Sequence, residues 1–305
     1  MSARKPLISF GGGKGGVGKS FLAVNAAIHL SSIGLRTALI DADFGGANLH
    51  TLLGMELPRT TLWDYIEKKS ELSTVMIGTS HRNLWLGAGI VRDFAAGLKQ
   101  FQKTRLIKAL RSMDFDVIIV DLGAGTSSHV IDIFAASDFG ILVTLPEPTA
   151  IENCYRFLKT AFYRHLRGTE KIHDAKVLLD STIAEKSSQK GPIELIGELM
   201  LISPEAGGRY IEELDCFRPA IVVNQARTVE DRNLTQSIAS VLKRFYGFKS
   251  WPLGEIAYDD SVWLSVRNRV PLISLSPLPD TQAARDTSSV CMAIGELVSE
   301  FRTMR

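Results

Sequence analysis

Residues 6–20 read PLISFGGGKGGVGKS, and this stretch decides the fold. PLISF has the short, apolar character of a buried strand, and three glycines follow it at once. Gly13 to Ser20 (GKGGVGKS) then fills G-x-x-x-x-G-K-[ST] at every position. Such a loop needs glycines because its backbone must wrap an anion with several N–H groups turned inward, where side chains would block the approach. Lys19 is placed to reach the β- and γ-phosphates of a nucleotide, and the Ser20 hydroxyl to ligate Mg²⁺. The helix expected over 20–33 would add the positive end of its dipole. The candidate phosphate-binding set is therefore Gly13, Lys14, Gly15, Gly16, Val17, Gly18, Lys19 and Ser20, with Phe21 opening the helix.

Outward from this loop, strands and helices alternate. RTALID (36–41), NLWLG (83–87), FDVIIVDLGAG (115–125), GILVTLPEP (140–148), AIVVNQAR (220–227) and WPLGEI (251–256) read as strands or contain them. Helices are expected near 63–68, 97–113, 149–166, 228–245 and 287–303. The one over 97–113 is basic and amphipathic, with Leu98, Phe101, Leu106 and Leu110 as its apolar face. Short continuous apolar strands separated by helices predict an α/β fold, a mostly parallel twisted sheet with helices on both faces. Ligands on such a sheet bind at the carboxyl ends of the strands. Three aspartates, Asp41, Asp43 and Asp121, sit at such ends. A phosphate-fed magnesium site needs one or two carboxylates there.

Residues 168–216 break the rhythm. They hold the polar patch EKSSQKGP, the Gly207-Gly208 pair and a nearly unbroken apolar run from Ile193 to Ile202. This segment reads as a helical insertion in a single domain spanning 1–305. Its apolar run is expected to pack on the parent domain, the sharper alternative being a docking surface for a partner protein.

Composition excludes several classes. The 305 residues carry a formal net charge of +2, so bulk charge announces no nucleic-acid or membrane partner. Cys154, Cys216 and Cys291 are scattered with no CxxC spacing, which leaves metal knuckles and redox pairs without support. MSARKPLISF is too short to read as a secretory signal, and no apolar run reaches membrane-spanning length. A cytoplasmic location is expected, with peripheral contact at the inner face of the membrane as a variant. Glu296 and Glu300 offset Arg302 and Arg305 in the last helix, so it reads as core-packed rather than as a membrane anchor.

Lys14, directly after the first glycine of the loop, narrows the class. KGGVGKS is the deviant Walker A signature, and at this point the sequence resembles the MinD/ParA family of P-loop NTPases. TLPEPTAIENCYRFLK (144–159), DFGGANLHTLLG (43–54) and LGEIAYDDSVWLSVRNRVPLI (253–273) resemble its FlhG-like branch. The resemblance implies ATP and Mg²⁺ as cofactors, and slow ATP hydrolysis by in-line attack of water on the γ-phosphate. It implies an ATP-dependent homodimer in which Lys14 reaches the nucleotide of the partner subunit. Asp121 matches the Walker B position and opens switch II, with Gly123 and Gly125 beside it. Asp43 matches the switch I aspartate that orients water, and Asp41 its neighbour near the metal. Asn224 matches an asparagine that reads the adenine edge; a turn-forming role is the other reading. Pro252 to Ile256 would flank the base. The branch regulates flagellar number and placement beside a GTPase partner. Only MSARK precedes the first strand, so the GTPase-activating segment DQAxxLR of that branch is not expected.

A ParA-type ATPase that binds DNA nonspecifically is the alternative, with Lys99, Lys103, Arg105, Lys108 and Arg111, or Lys159, Arg164 and Arg167, as its basic face. Metal-cluster carriers on this fold need paired cysteines, and the related tyrosine kinases a tyrosine-rich tail; neither pattern is present.

Overall fold

The computed structural model describes residues 5–89, 98–168 and 192–303. Its centre is an eight-stranded sheet among those residues, in the order β3-β4-β2-β5-β1-β6-β7-β8. The strands are β1 (Leu7–Gly11), β2 (Thr37–Ala42), β3 (Met76–Gly78), β4 (Leu84–Gly87), β5 (Val117–Leu122), β6 (Phe139–Thr144), β7 (Ala220–Ala226) and β8 (Trp251–Ala257). All neighbours run parallel except the edge pair β3 and β4. β1, β2 and β5 are buried along their whole length, as the continuous apolar runs predict for a sheet covered on both faces.

Two layers of core follow. On one face α1 (Lys19–Ser32) and the last helix, α11 (Gln282–Thr303), join Ile8, Phe10, Leu39, Ile119 and Val222. On the other, α3 (Leu62–Ile66), α4 (Gln100–Ser112), α5 (Ser128–Ala136) and α6 (Pro148–Gly168) pack against Ile40, Val120, Leu142 and Val223. The apolar side of α11 (Val290, Cys291, Ile294, Val298) is buried, consistent with a core-packed helix. Among the described residues no helix is long and apolar enough to cross a membrane.

Local chemistry sets several boundaries. α3 starts at Thr61, whose backbone N–H donates to Asp64 Oδ2 at 2.8 Å in a capping box. In α4 the amphipathic reading needs correction. Phe101 is 57 % exposed, while Lys103 is only 3 % exposed and pairs with Asp132 of α5. An ion pair across the helix interface has pulled a lysine inward and turned the phenylalanine out. The helix expected over 228–245 is broken into a 3-10 turn (Glu230–Asn233), α9 (Leu234–Val241) and a wider π turn (Leu242–Tyr246). Pro252 to Ile256, the stretch expected to flank the base, lies inside β8.

Within the irregular segment, Ile193 to Ile202 lies mostly in α7 (Leu195–Ile202), and α8 (Pro204–Cys216) follows. Ser203 caps α8, accepting from the Ala206 N–H at 3.2 Å, with Pro204 in the first turn. Leu195 and Leu199 are buried, Tyr210 donates its hydroxyl to the Pro192 carbonyl, and Phe162 of α6 meets Tyr210, Phe217 and Phe248 edge-on. This part therefore packs on the body of the domain. The patch EKSSQKGP falls almost wholly in 169–191, outside the described residues.

Candidate functional site

The loop from Gly12 to Gly18 leaves β1, a central strand, and enters α1. Its backbone is shaped by two contacts. Gly18 has φ of 94°, a left-handed conformation costly for other residues, and a Cβ there would meet Asn224 Nδ2 at 2.1 Å. A Cβ on Gly13 would meet the Asn153 carbonyl oxygen of α6 at 2.6 Å. At Gly15 the nearest atom to such a Cβ, Ala124 Cβ, is 3.8 Å away, an ordinary contact.

Lys19 is buried and its ammonium lies 3.4 Å from the Lys14 carbonyl oxygen. Burial lowers its pKa, and the charges of Asp121 and Asp43 pull it back up. Beside it, Asp41 and Asp121 stand in register on the paired strands β2 and β5. Neither oxygen of Asp121 has a hydrogen-bond partner in good geometry among the described residues, although the carboxylate is 1 % exposed. Burial pushes its pKa up to about 8; the neighbouring Ser20 hydroxyl and Lys19 work against that rise, Asp41 and Asp43 with it. A buried acid short of well-formed hydrogen bonds is costly, and the Ser20 hydroxyl, Asp121 and the glycine loop are the set of groups a Mg²⁺-nucleotide requires. The residues present fit that group.

Asp41 is differently employed. Its Oδ2 accepts from the N–H groups of Asn48 and Leu49 at 2.9 and 3.0 Å, capping the short helix α2 (Leu49–Leu52), and its Oδ1 accepts from Asp43 N–H at 3.3 Å. Burial raises its pKa to about 6, against those bonds. Asp43 Oδ1 accepts from Gly45 and Gly46 N–H at 3.2 and 3.0 Å, within its own turn. Gly123 passes so close that a Cβ there would sit 2.9 Å from Asp43 Oδ1. The segments after β2 and β5 thus touch at Asp43, and Gly125 N–H ties the second of them to the Gly12 carbonyl at 3.2 Å.

Lys14 points away from the loop interior and meets Glu147 Oε2 at 2.8 Å, both side chains being about half exposed. Asn224 donates its amide to the Val17 carbonyl at 2.9 Å and accepts from Gln225 N–H at 2.9 Å. In this arrangement it is a strut under the phosphate loop, with both ends of the amide engaged. Sequence reasoning missed both the Glu147 contact and the strut, because neither partner is near in the chain. The closeness of Glu147 was legible only as part of the PEP segment.

The model of the family described as ParA: NUBPL iron-transfer P-loop NTPase matches residues 4–166. The chain belongs to the ParA/MinD family of P-loop NTPases. It is 37 % identical over 163 residues to the antiactivator FleN of Pseudomonas aeruginosa, covering 50 % of this chain and 55 % of FleN. It is 31 % identical over 159 residues to the flagellum site-determining protein YlxH of Helicobacter pylori, covering 50 % of this chain and 52 % of YlxH. The chain thus spans about half the length of these two curated relatives. MinD of Pyrococcus horikoshii, solved with Mg-ADP, superposes with a TM-score of 0.66 at 17 % identity over 98 % of this chain and 100 % of that one, which establishes the shared MinD-like fold.

Asp41 and Asp121 stand in register near the carboxyl ends of β2 and β5, Asp43 follows β2 directly, and the glycine loop follows β1, the neighbour of β5. Several of the basic residues named for the DNA-binding alternative have intramolecular partners, while Lys99 and Lys108 are exposed. Lys103 and Arg164 both pair with Asp132, Arg105 donates to the Tyr65 carbonyl, and Arg111 pairs with Asp138. The Arg167 side chain is outside the described residues.

Proposed function

We propose that this chain is an ATP-dependent dimerising switch that hydrolyses ATP slowly and regulates the position or number of a cellular structure, as the names of FleN and YlxH suggest for those relatives. The observation that carries the reading is the buried Asp121, its carboxylate short of well-formed hydrogen bonds, beside Ser20, Lys19 and the glycine loop.

In this reading the N–H groups of Gly13 to Ser20 and the ammonium of Lys19 bind the phosphates. Ser20 and Asp121 hold Mg²⁺, with Asp41 and Asp43 near it; the ion would offset the charge developing on the γ-phosphate. Asp41 fixes the switch I backbone through Asn48 and Leu49. Asp43 leaves its bonds to Gly45 and Gly46 to orient the attacking water. Lys14 leaves Glu147 and reaches the phosphates of a second copy; an exposed ion pair of this kind contributes less than about 1 kcal/mol, so it is easily exchanged. Asn224 keeps the loop in shape, and Phe21 anchors the start of α1. We read residues 168–216 as a helical insertion in one ATPase domain, supported by the packing of α7 and α8 on α6. The chain would act in the cytoplasm or peripherally at a membrane, with a regulatory or GTPase partner.

Light scattering with and without ATP tests this. The wild type is expected to be monomeric without nucleotide and to dimerise with Mg-ATP. Asp43→Ala is expected to accumulate as an ATP-locked dimer and Lys14→Ala to stay monomeric. Tight ATP binding with no change of size in any of the three would reject the switch.

A further inference from the structure

The two switch segments touch a third element that the nucleotide chemistry does not require. Asp43 and Phe44 are neighbours in the chain. The carboxylate of Asp43 faces Gly123 of switch II, while the Phe44 ring is buried in the core on the α5 side of the sheet. There it meets the imidazole of His129, with ring centroids 5.9 Å apart and planes tilted by 55°. His129 sits in the first turn of α5, the helix that directly follows switch II, and its Nδ1 lies 3.3 Å from the Ser127 hydroxyl.

The base of α5 does not float. Asp132, one turn on from His129, accepts from Lys103 of α4 and Arg164 of α6. Burial works against the charged form of Asp132, but the bonds from Arg164 and Lys103 outweigh it and hold its carboxyl below the usual range. The imidazole therefore stands on a helix pinned from two sides. Burial first, then Lys103, lower the pKa of His129 against the opposing pull of Asp43 and Asp132. At neutral pH the ring meets Phe44 uncharged, as an aromatic surface.

We propose that His129 is a positioning residue: its ring, packed on Phe44, sets where the adjacent Asp43 carboxylate stands against switch II. The proposal deepens the reading above, since it rests on Asp43 being the group that orients water. Asp43 has no anchor of its own on α5. Its carboxylate bonds run to Gly45 and Gly46 within the same turn; the backbone on either side is tied to Asp41 of β2, and the buried Phe44 ring is the turn's contact with α5. A displacement of order 1 Å at such a residue is enough to slow a reaction strongly.

The test uses His129→Ala, which removes the ring, His129→Phe, which keeps an aromatic face, and His129→Gln, which keeps length without a ring. Steady-state hydrolysis is expected to show kcat lowered about tenfold or more in the Ala and Gln variants, with KM for ATP unchanged, and kcat within about twofold of wild type in the Phe variant. A second readout needs no hydrolysis. Amide hydrogen exchange of residues 43–49 in the nucleotide-free protein is expected to be faster in the Ala and Gln variants, and unchanged in the Phe variant, with β2 and β5 protected in all. Unaltered kcat and unaltered exchange on loss of the ring would overturn the proposal, and so would a Phe variant that behaves like the Ala variant. If the wild type hydrolyses no ATP, the proposed function fails, and the exchange experiment still decides whether His129 holds the turn.

Discussion

Asp121 is the residue whose local energy runs against the fold. Its carboxyl group is buried and lacks a donor in good geometry, a condition that costs stability until a cation or proton arrives. Replacing it with asparagine is expected to stabilise the metal-free protein by roughly 1–4 kcal/mol, most at the alkaline end of the pH range, and to abolish the Mg²⁺ dependence of nucleotide binding. Thermal melts and titration calorimetry would show the two effects in opposite directions. The pH dependence follows from the same group. Its folded pKa, about 8, stands above the ordinary 3.8, so the native state holds a proton that the unfolded chain releases. Its contribution to stability is then full below 3.8 and lost as pH rises to about 8. The difference in stability between Asp121→Asn and wild type should grow across that window in metal-free urea titrations and flatten above it. At Asn224, truncation to alanine removes the strut to Val17; the lost hydrogen bond, about 1 kcal/mol, corresponds to roughly five-fold weaker nucleotide binding. Fluorescent-nucleotide titration with an unchanged Kd would remove the strut from the account.

At the scale of elements, α4, α5 and α6 are joined by a charge cluster where a packed apolar contact would be the simpler solution. Lys103, Asp132 and Arg164 lie in that interface, and Lys103 and Asp132 are both largely buried. Deleting Asp132 leaves Lys103 buried without a partner, so Asp132→Ala is expected to cost about 3–5 kcal/mol, and the double change Lys103→Met, Asp132→Leu much less. Equal losses in chemical denaturation would mean that the cluster is ordinary packing. Lys103 was legible in the sequence as one of several lysines and arginines on a basic helix, with Phe101 on its apolar face. The reversal of the two came from Asp132, which lies in another helix and carries no signal of its own in α4.

The whole molecule brings the loop after β1 and the segments after β2, β5 and β7 to one end of a parallel sheet. Four of the candidate basic side chains, Lys103, Arg105, Arg111 and Arg164, are held by intramolecular partners, while Lys99 and Lys108 are exposed. Nonspecific DNA binding is therefore expected to be weak. Retention on DNA in Mg-ATP should be negligible at about 0.15 M salt, and a steep loss of strong binding with rising salt would contradict that expectation.

The phosphate loop, the strand–helix alternation, the parallel sheet and the three strand-end aspartates were all readable from the chain. Each rests on neighbours in sequence: a glycine pattern of fixed spacing, apolar periodicity, and acids closing apolar runs. The tertiary structure alone decided what those residues touch. It set Asp41 to capping α2, Asn224 to bracing Val17, Lys14 to Glu147 and the His129 ring to Phe44, because each contact joins groups brought together only when separate strands and helices pack. Burial, which gives Asp121 and Lys103 their energetic character, is likewise a property of the assembled layers and not of the local sequence.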